Sequence, residues 1–303
     1  MQKKIIIAIV ASGIILSILI MIIINSKIIN TTVGEEYHID SPIQQPNIST
    51  TTSDIEYDES FFNQSCFKAR TNTIPASLYG NLPKPYINVG LPKMGTTSLH
   101  KFFSCGGLSS THYYCHPNPI KKLGRKGLLN AKCASMLEKA SLARLPPLSF
   151  AIKNYNMSDA YMQLDDGHYF PQVELLDEIV EGYPNATLFL TFRNMSAWYK
   201  SLSNWPPKKK PKLSDRLKML DIKGLPKGKG KDVYELSDWY CKHVQRVRDL
   251  VAQDPSHTLV EVDIQDPDMG QWLESIFSIK KRCWGQVNAN SLLLSSNNNN
   301  TNG

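Results

Sequence analysis

Two short stretches carry residues that could hold anions. In "GLPKMGTTS", Gly90 and Gly95 frame a turn with Lys93 inside it, and Thr96, Thr97 and Ser98 follow at once. A turn of this kind offers backbone N–H groups, the positive end of a helix, hydroxyls and one ammonium, which together suit a phosphate. In the nucleotide-hydrolase loop G-x-x-x-x-G-K-[ST], a lysine directly follows the second glycine. Here Thr96 holds that place and the lysine lies three residues earlier. In "FRNMSAWYKSL", Arg193 ends an apolar run and Ser201 lies eight residues on. A nucleotide hydrolase needs a carboxylate near such a position to hold Mg²⁺. A guanidinium there instead suits bidentate contact with a second phosphate. Two phosphate sites without a metal carboxylate fit a donor phosphorylated at two positions. The plain alternative for either stretch is an ordinary strand-to-helix turn with a surface cation.

The elements that must position these residues alternate along the chain. "YINVGL", "SFAIKNY", "ATLFLTF" and "HTLVEVDI" read as strands; "TSLHKFFSC", "PQVELLDEIVEGY", "SAWYKSLSNW", "DWYCKHVQRVRDLVAQ" and "MGQWLESIF" read as helices. Alternation of this kind predicts an α/β fold, a P-loop-type three-layer αβα sandwich around a central, mainly parallel sheet. Ligands of such sheets bind at the carboxyl ends of the strands.

Several features bound where the chain works. Residues 5–24 are apolar and uncharged, and about 20 such residues span a bilayer. No small-x-small cleavage exit follows, so the stretch is expected to be an uncleaved anchor. Lys3 and Lys4 precede it, which keeps residues 1–4 cytoplasmic and the rest lumenal. Residues 25–76 read as a stalk, 77–288 as the catalytic domain and 289–303 as a low-complexity tail expected to be disordered. The six cysteines suit disulfides in an oxidising compartment, with their pairing open. Sequons begin at Asn30, Asn47, Asn63, Asn156, Asn185, Asn194 and Asn299; no glycan is expected at Asn194, beside Arg193. The net charge of +7 favours an anionic partner without naming one. Much of it lies in residues 208–231, either a solvated mobile loop or a surface that steers a polyanionic glycan.

The two motifs together carry a resemblance. "LPKMGTTSL" resembles the 5′-phosphosulfate loop of sulfotransferases that use 3′-phosphoadenylyl sulfate (PAPS), and "FRNMSAWYKSL" resembles their 3′-phosphate element. With its anchor and stalk, the chain looks like a Golgi-type single-pass type II carbohydrate sulfotransferase. The resemblance implies that Pro92, Lys93, Gly95, Thr96, Thr97 and Ser98 hold the 5′-phosphosulfate, and Arg193 and Ser201 the 3′-phosphate. It implies that Lys93 stabilises the leaving oxygen, that no metal is required, and that 3′-phosphoadenosine-5′-phosphate (PAP) is the product. The acceptor is expected to be a hydroxyl on a glycan, with no nucleic-acid partner.

The family's base lies between the two motifs. There "YMQLDDGHYFPQ" supplies His168 and Asp166 as equal candidates and Asp165 as a third, or else a capped turn before Pro171. His112 and His116 are further candidates. The tryptophan that follows the Thr-Thr pair in cytosolic members is replaced by Ser98, and the family's late Arg-Lys-Gly triplet is missing. "KKRCWGQVN" is the nearest late basic segment, with Arg282 for the phosphate and Trp284 either for the adenine or in the core. Two rivals stay open: a lumenal nucleotide kinase or NTPase, and a membrane-anchored binding protein with a degenerate site.

Overall fold

A computed structural model describes residues 61–62, 64–70, 74–115, 131–151, 159–206 and 211–285 of the 303-residue chain. Among the described residues no helix is long and apolar enough to cross a membrane; the expected anchor at 5–24 and the tail lie outside them.

Five strands form one sheet: β1 (Tyr86–Asn88), β2 (Ser110–Thr111), β3 (Ala160–Tyr161), β4 (Thr187–Phe192) and β5 (Thr258–Asp263). Their order is β2-β3-β1-β4-β5, and every named pairing is parallel. Successive strand residues point to opposite faces, and both faces are apolar. Ile87, Tyr161, Leu188, Leu190 and Phe192 join one buried cluster; Tyr86, Ala160, Phe189, Val260 and Val262 join another. That is why the strands read as continuous hydrophobic runs.

The helices divide between the two faces. Helix α1 (Thr96–Cys105) enters the second cluster through Leu99, Phe102 and Phe103. After it come α2 (Cys133–Leu142), α3 (Pro171–Glu174), α4 (Leu176–Gly182), α5 (Met195–Asn204), α6 (Leu213–Met219), α7 (Val233–Gln253) and α8 (Met269–Phe277). Helix α5 places Met195, Trp198 and Leu202 in the first cluster, whereas α8 joins α1 in the second. Neighbouring strands β1 and β4 therefore send their helices to opposite faces. A crevice opens at such a switch point, outside the carboxyl ends of the strands.

Four expectations change. Residues 149–151 of "SFAIKNY" form a helical turn after Pro146 and Pro147, and the strand of this region is β3, ten residues later. "PQVELLDEIVEGY" is two helices divided at Leu175. The basic tract is no loose loop over its described part: Leu213, Leu217, Ile222 and Leu225 are buried. Residues 61–62 and 64–70, expected in the stalk, pack on the domain, with Phe61 5.0 Å from Tyr234 and Phe67 6.0 Å from Tyr240. Arg248 anchors this segment. It makes two 2.7 Å bonds to the buried Glu261 carboxylate and donates to the carbonyls of Ser65 and Lys68.

Three disulfides pair all six cysteines: Cys66 with Cys241, Cys105 with Cys283, and Cys115 with Cys133. They tie the N-terminal segment to α7, the end of α1 to the C-terminal turn, and the start of α2 to the chain beyond β2.

His243 of α7 supports the site from below, its Nε2 2.7 Å from the Val89 carbonyl just past β1. Burial pushes it from 6.5 down to about 4, so the fold selects the neutral ring. The depressed value means that this stability is full above pH 6.5 and is lost as pH falls towards 4. His243→Gln keeps an amide donor and removes the titration. Its unfolding free energy should therefore fall less steeply across that window, by up to about 1.4 kcal/mol per pH unit. Urea titrations at several pH values would read this; an unchanged slope would mean that His243 titrates normally.

Candidate active site

The turn after β1 is held from several sides. Asn88 Oδ1 accepts the Gly90 N–H at 3.0 Å while its Nδ2 donates to the Met162 carbonyl at 2.9 Å. Trp198 Nε1 donates to the Pro92 carbonyl at 2.8 Å, which locks the turn to α5. Gly95 stands at φ +95°, and a Cβ there would lie 2.6 Å from Ile264 Cγ2, so only glycine lets the turn pass this close to β5. Gly95 cannot cap α1 with a side chain. The first N–H groups and the positive helix end thus form an anion cradle.

Charge converges on this cradle. Lys93 sits at φ +66°, a left-handed conformation that costs a non-glycine residue about 1 kcal/mol. Its Nζ lies 5.2 Å above the Trp205 ring. Burial, then the neighbouring Arg193 charge, pull its pKa down, and Asp165 pushes the other way. Arg193 emerges from β4 and donates from Nη1 to the Lys93 carbonyl at 3.3 Å. Its Nε is buried without a hydrogen-bond partner, a costly state for a guanidinium. Ser201 is buried two turns along α5. Asn194 Oδ1 caps α5 by accepting from Ala197 N.

Other candidates fall on both sides of this crevice. His112, just beyond β2, places Nε2 3.1 Å from Thr96 Oγ1 and 3.2 Å from Thr97 Oγ1. Burial, with the charges of His100 and Lys93, pushes it down to about 4, so it meets those hydroxyls as a neutral ring. Sequence pattern gave no sign of this contact, because a two-residue edge strand has no readable period. Ser98 is buried in the first turn of α1. His116 lies outside the described residues.

The loop after β3 separates the base candidates. Asp166 is 2.9 Å from Lys132 Nζ and also accepts the N–H groups of His168 and Tyr169; these bonds hold it below the usual carboxylate range. It is the capped turn that the sequence allowed as an alternative. His168 is exposed, with Nε2 3.3 Å from Arg216 Nη1. Asp165 is buried and has no ion-pair partner within 4.0 Å among the described residues; Gln172 Nε2 donates to its Oδ2 at 3.3 Å. Burial pushes its carboxyl up to about 6.

Arg282 and Trp284 are not brought to the crevice. Trp284 packs on Phe102 at 6.1 Å and close to Gly270, and Cys283 is bonded to Cys105 at the far end of α1. That end lies roughly 14 Å along the helix from Thr96. Among the described residues no cluster of three or more His, Cys, Asp or Glu could hold a metal ion.

A family model described as a sulfotransferase domain matches residues 86–274, from β1 into α8. The chain belongs to the sulfotransferase-domain family. No curated protein matches it. The matched span begins at the strand that feeds the cradle and includes Lys93, Arg193 and the whole β3 loop, but ends before Arg282 and Trp284.

The tight seat of the loop makes a prediction for this sulfotransferase domain. Gly95→Ala adds both left-handed strain and a clash with Ile264, and should lower stability by about 1–3 kcal/mol. Thermal unfolding would show it; a melting temperature equal to wild type would mean that the turn is loosely held.

Proposed function

We propose that the chain transfers a sulfuryl group from PAPS to an acceptor hydroxyl, on a carbohydrate, in the lumen of the secretory pathway. An N-terminal anchor at 5–24 would hold it on the Golgi membrane as a type II protein. One observation carries the donor assignment: Arg193, with a buried Nε that lacks a partner, stands at the end of β4 where a nucleotide kinase would need a metal-binding carboxylate. The lumenal setting is supported by three disulfides at Cα separations of 5.1, 5.6 and 4.7 Å.

The residues of the crevice fit this donor. Arg193 and Ser201 would hold its 3′-phosphate, and the N–H groups of the turn with Thr96 and Thr97 its 5′-phosphate. A neutral His112 ring protonated at Nε2 would donate towards the two threonine oxygens and leave their own hydroxyl protons for that contact. When bound, the donor supplies an activated sulfuryl group. Lys93 brings its ammonium to the oxygen that joins phosphate to sulfur, where negative charge grows during transfer. Partial burial strengthens that interaction and makes the lysine the better proton donor, since its pKa is lowered.

For the acceptor proton we favour Asp165 over Asp166 and His168. The Asp166 carboxylate is committed to Lys132 and two N–H groups, and the His168 Nε2 lone pair faces an Arg216 donor. Asp165 has no cation within ion-pair distance among the described residues, and its raised pKa leaves it ionised at neutral pH yet more basic than an ordinary aspartate.

Arg193→Ala should weaken PAP binding by about tenfold or more, because a charge-assisted contact is lost. Calorimetry on the full chain tests this, and unchanged affinity would remove the role given to Arg193. Asp165→Asn should lower the transfer rate about 10²–10⁴-fold with PAP affinity retained. In the wild type, the rate should climb as pH rises through about 6, as Asp165 loses its proton. An acid limb that survives in the Asn variant would assign the proton transfer elsewhere.

A further inference from the structure

Among the described residues, Lys93, Arg193 and Arg216 have no carboxylate within 4.0 Å, although the other cation bordering this crevice, Lys132, is paired with Asp166. Two of the three belong to the donor reading above. Arg216 does not. It comes from α6, in the basic tract, and reaches back to the β3 loop, donating from Nη1 to the Gly167 carbonyl at 3.1 Å and lying 3.3 Å from His168 Nε2. Gly167 stands at φ +77°, and a Cβ there would lie 2.8 Å from Arg216 Nη1, so this glycine makes room for the guanidinium. The guanidinium carbon lies 5.1 Å from the Trp205 ring centroid, the same ring that Lys93 covers at 5.2 Å. The two charges are thus no more than about 10 Å apart. Arg216 Nε is buried without a partner, as Arg193 Nε is.

Topology says which side Arg216 serves. The donor residues come from β1 and β4, while Arg216 is tied to the loop after β3, which flanks β1 on its other side. Lys93 lies between, and Asp165 stands in that same β3 loop. We propose that Arg216, stacked on Trp205, is an oxyanion subsite for the acceptor, so that the preferred acceptor carries a carboxylate or a sulfate within a few atoms of the hydroxyl to be sulfated. A planar, desolvated guanidinium suits such bidentate groups. The proposal rests on the sulfotransferase reading and narrows its acceptor from any hydroxyl compound to an acidic one.

The test uses the full chain, PAPS and three matched disaccharides: one neutral, one with a uronic acid, one with a sulfate ester. Wild type should show a KM at least tenfold lower for one or both acidic members, and which one is favoured identifies the anion. Arg216→Gln should raise the KM of the acidic members to that of the neutral one, leaving the neutral KM and the PAP affinity unchanged. Arg216→Lys, which keeps the charge and loses the planar fork, should retain part of the preference. A wild type that binds PAP yet shows no acidic preference would overturn the proposal while sparing the donor reading. So would an Arg216→Gln variant that slows all three acceptors alike, since Arg216 would then act on the transferring group. A wild type that does not bind PAP would overturn both.

Discussion

Strands β1 and β4 lie side by side, yet the helices that follow them turn to opposite faces of the sheet. The gap that this opens is lined by backbone N–H groups, a helix N-terminus and the side chains of Lys93 and Arg193. Positive charge placed so closely repels itself and loses solvent, which the lowered pKa of Lys93 records. The chain tolerates this because the turn is fastened independently: Trp198 holds the Pro92 carbonyl, Asn88 bridges β1 to the chain beyond β3, and His243 holds Val89. Those contacts position the cations without neutralising them. An anion between them would supply the missing partners.

Burial then sorts the carboxylates. Asp165 and Asp166 are neighbours in sequence, but Lys132 and two N–H groups stabilise the charge of one, while burial destabilises the charge of the other. Adjacent acids with pKa values pushed in opposite directions suit different tasks, and the proposed mechanism gives Asp166 the structural one and Asp165 the proton transfer. Trp205 performs a related sorting for cations. It offers π-density to Lys93 and to Arg216, so two charges sit near one ring without a carboxylate between them.

Strands β1, β4 and β5 and the turn that follows β1 were legible in the sequence because local pattern determines them. "ATLFLTF" is long enough for burial on both faces to show as an apolar run, "HTLVEVDI" shows as an alternating one, and the glycine spacing of the turn is a backbone requirement. The unread parts depend on contacts between distant segments. β2 and β3 are two residues each, too short for any period, and "SFAIKNY" has strand composition although its first residues are helical after a double proline. Trp284, next to a basic run, fitted a stacking role and a core role equally well in the sequence; the Cys105–Cys283 bond carries it to the end of α1 away from Thr96, against Phe102. Arg216 was hidden inside a lysine-rich tract, where charge density masked Leu213 and Leu217, the buried leucines that fold the tract onto α5. The burial of Asp165 beside the more exposed Asp166 could not be read either, because burial is a property of the fold.

On the proposed reading, a doubly phosphorylated donor fits between β1 and β4 without a metal. Calorimetry of the full chain with PAP, with no divalent ion added, tests it most directly when set beside ATP with Mg²⁺. The account predicts tight PAP binding, with ATP·Mg²⁺ far weaker. Binding of ATP·Mg²⁺ alone would contradict it and turn the site into that of a nucleotide kinase; binding of neither to a folded chain would leave a sulfotransferase domain that has lost its donor.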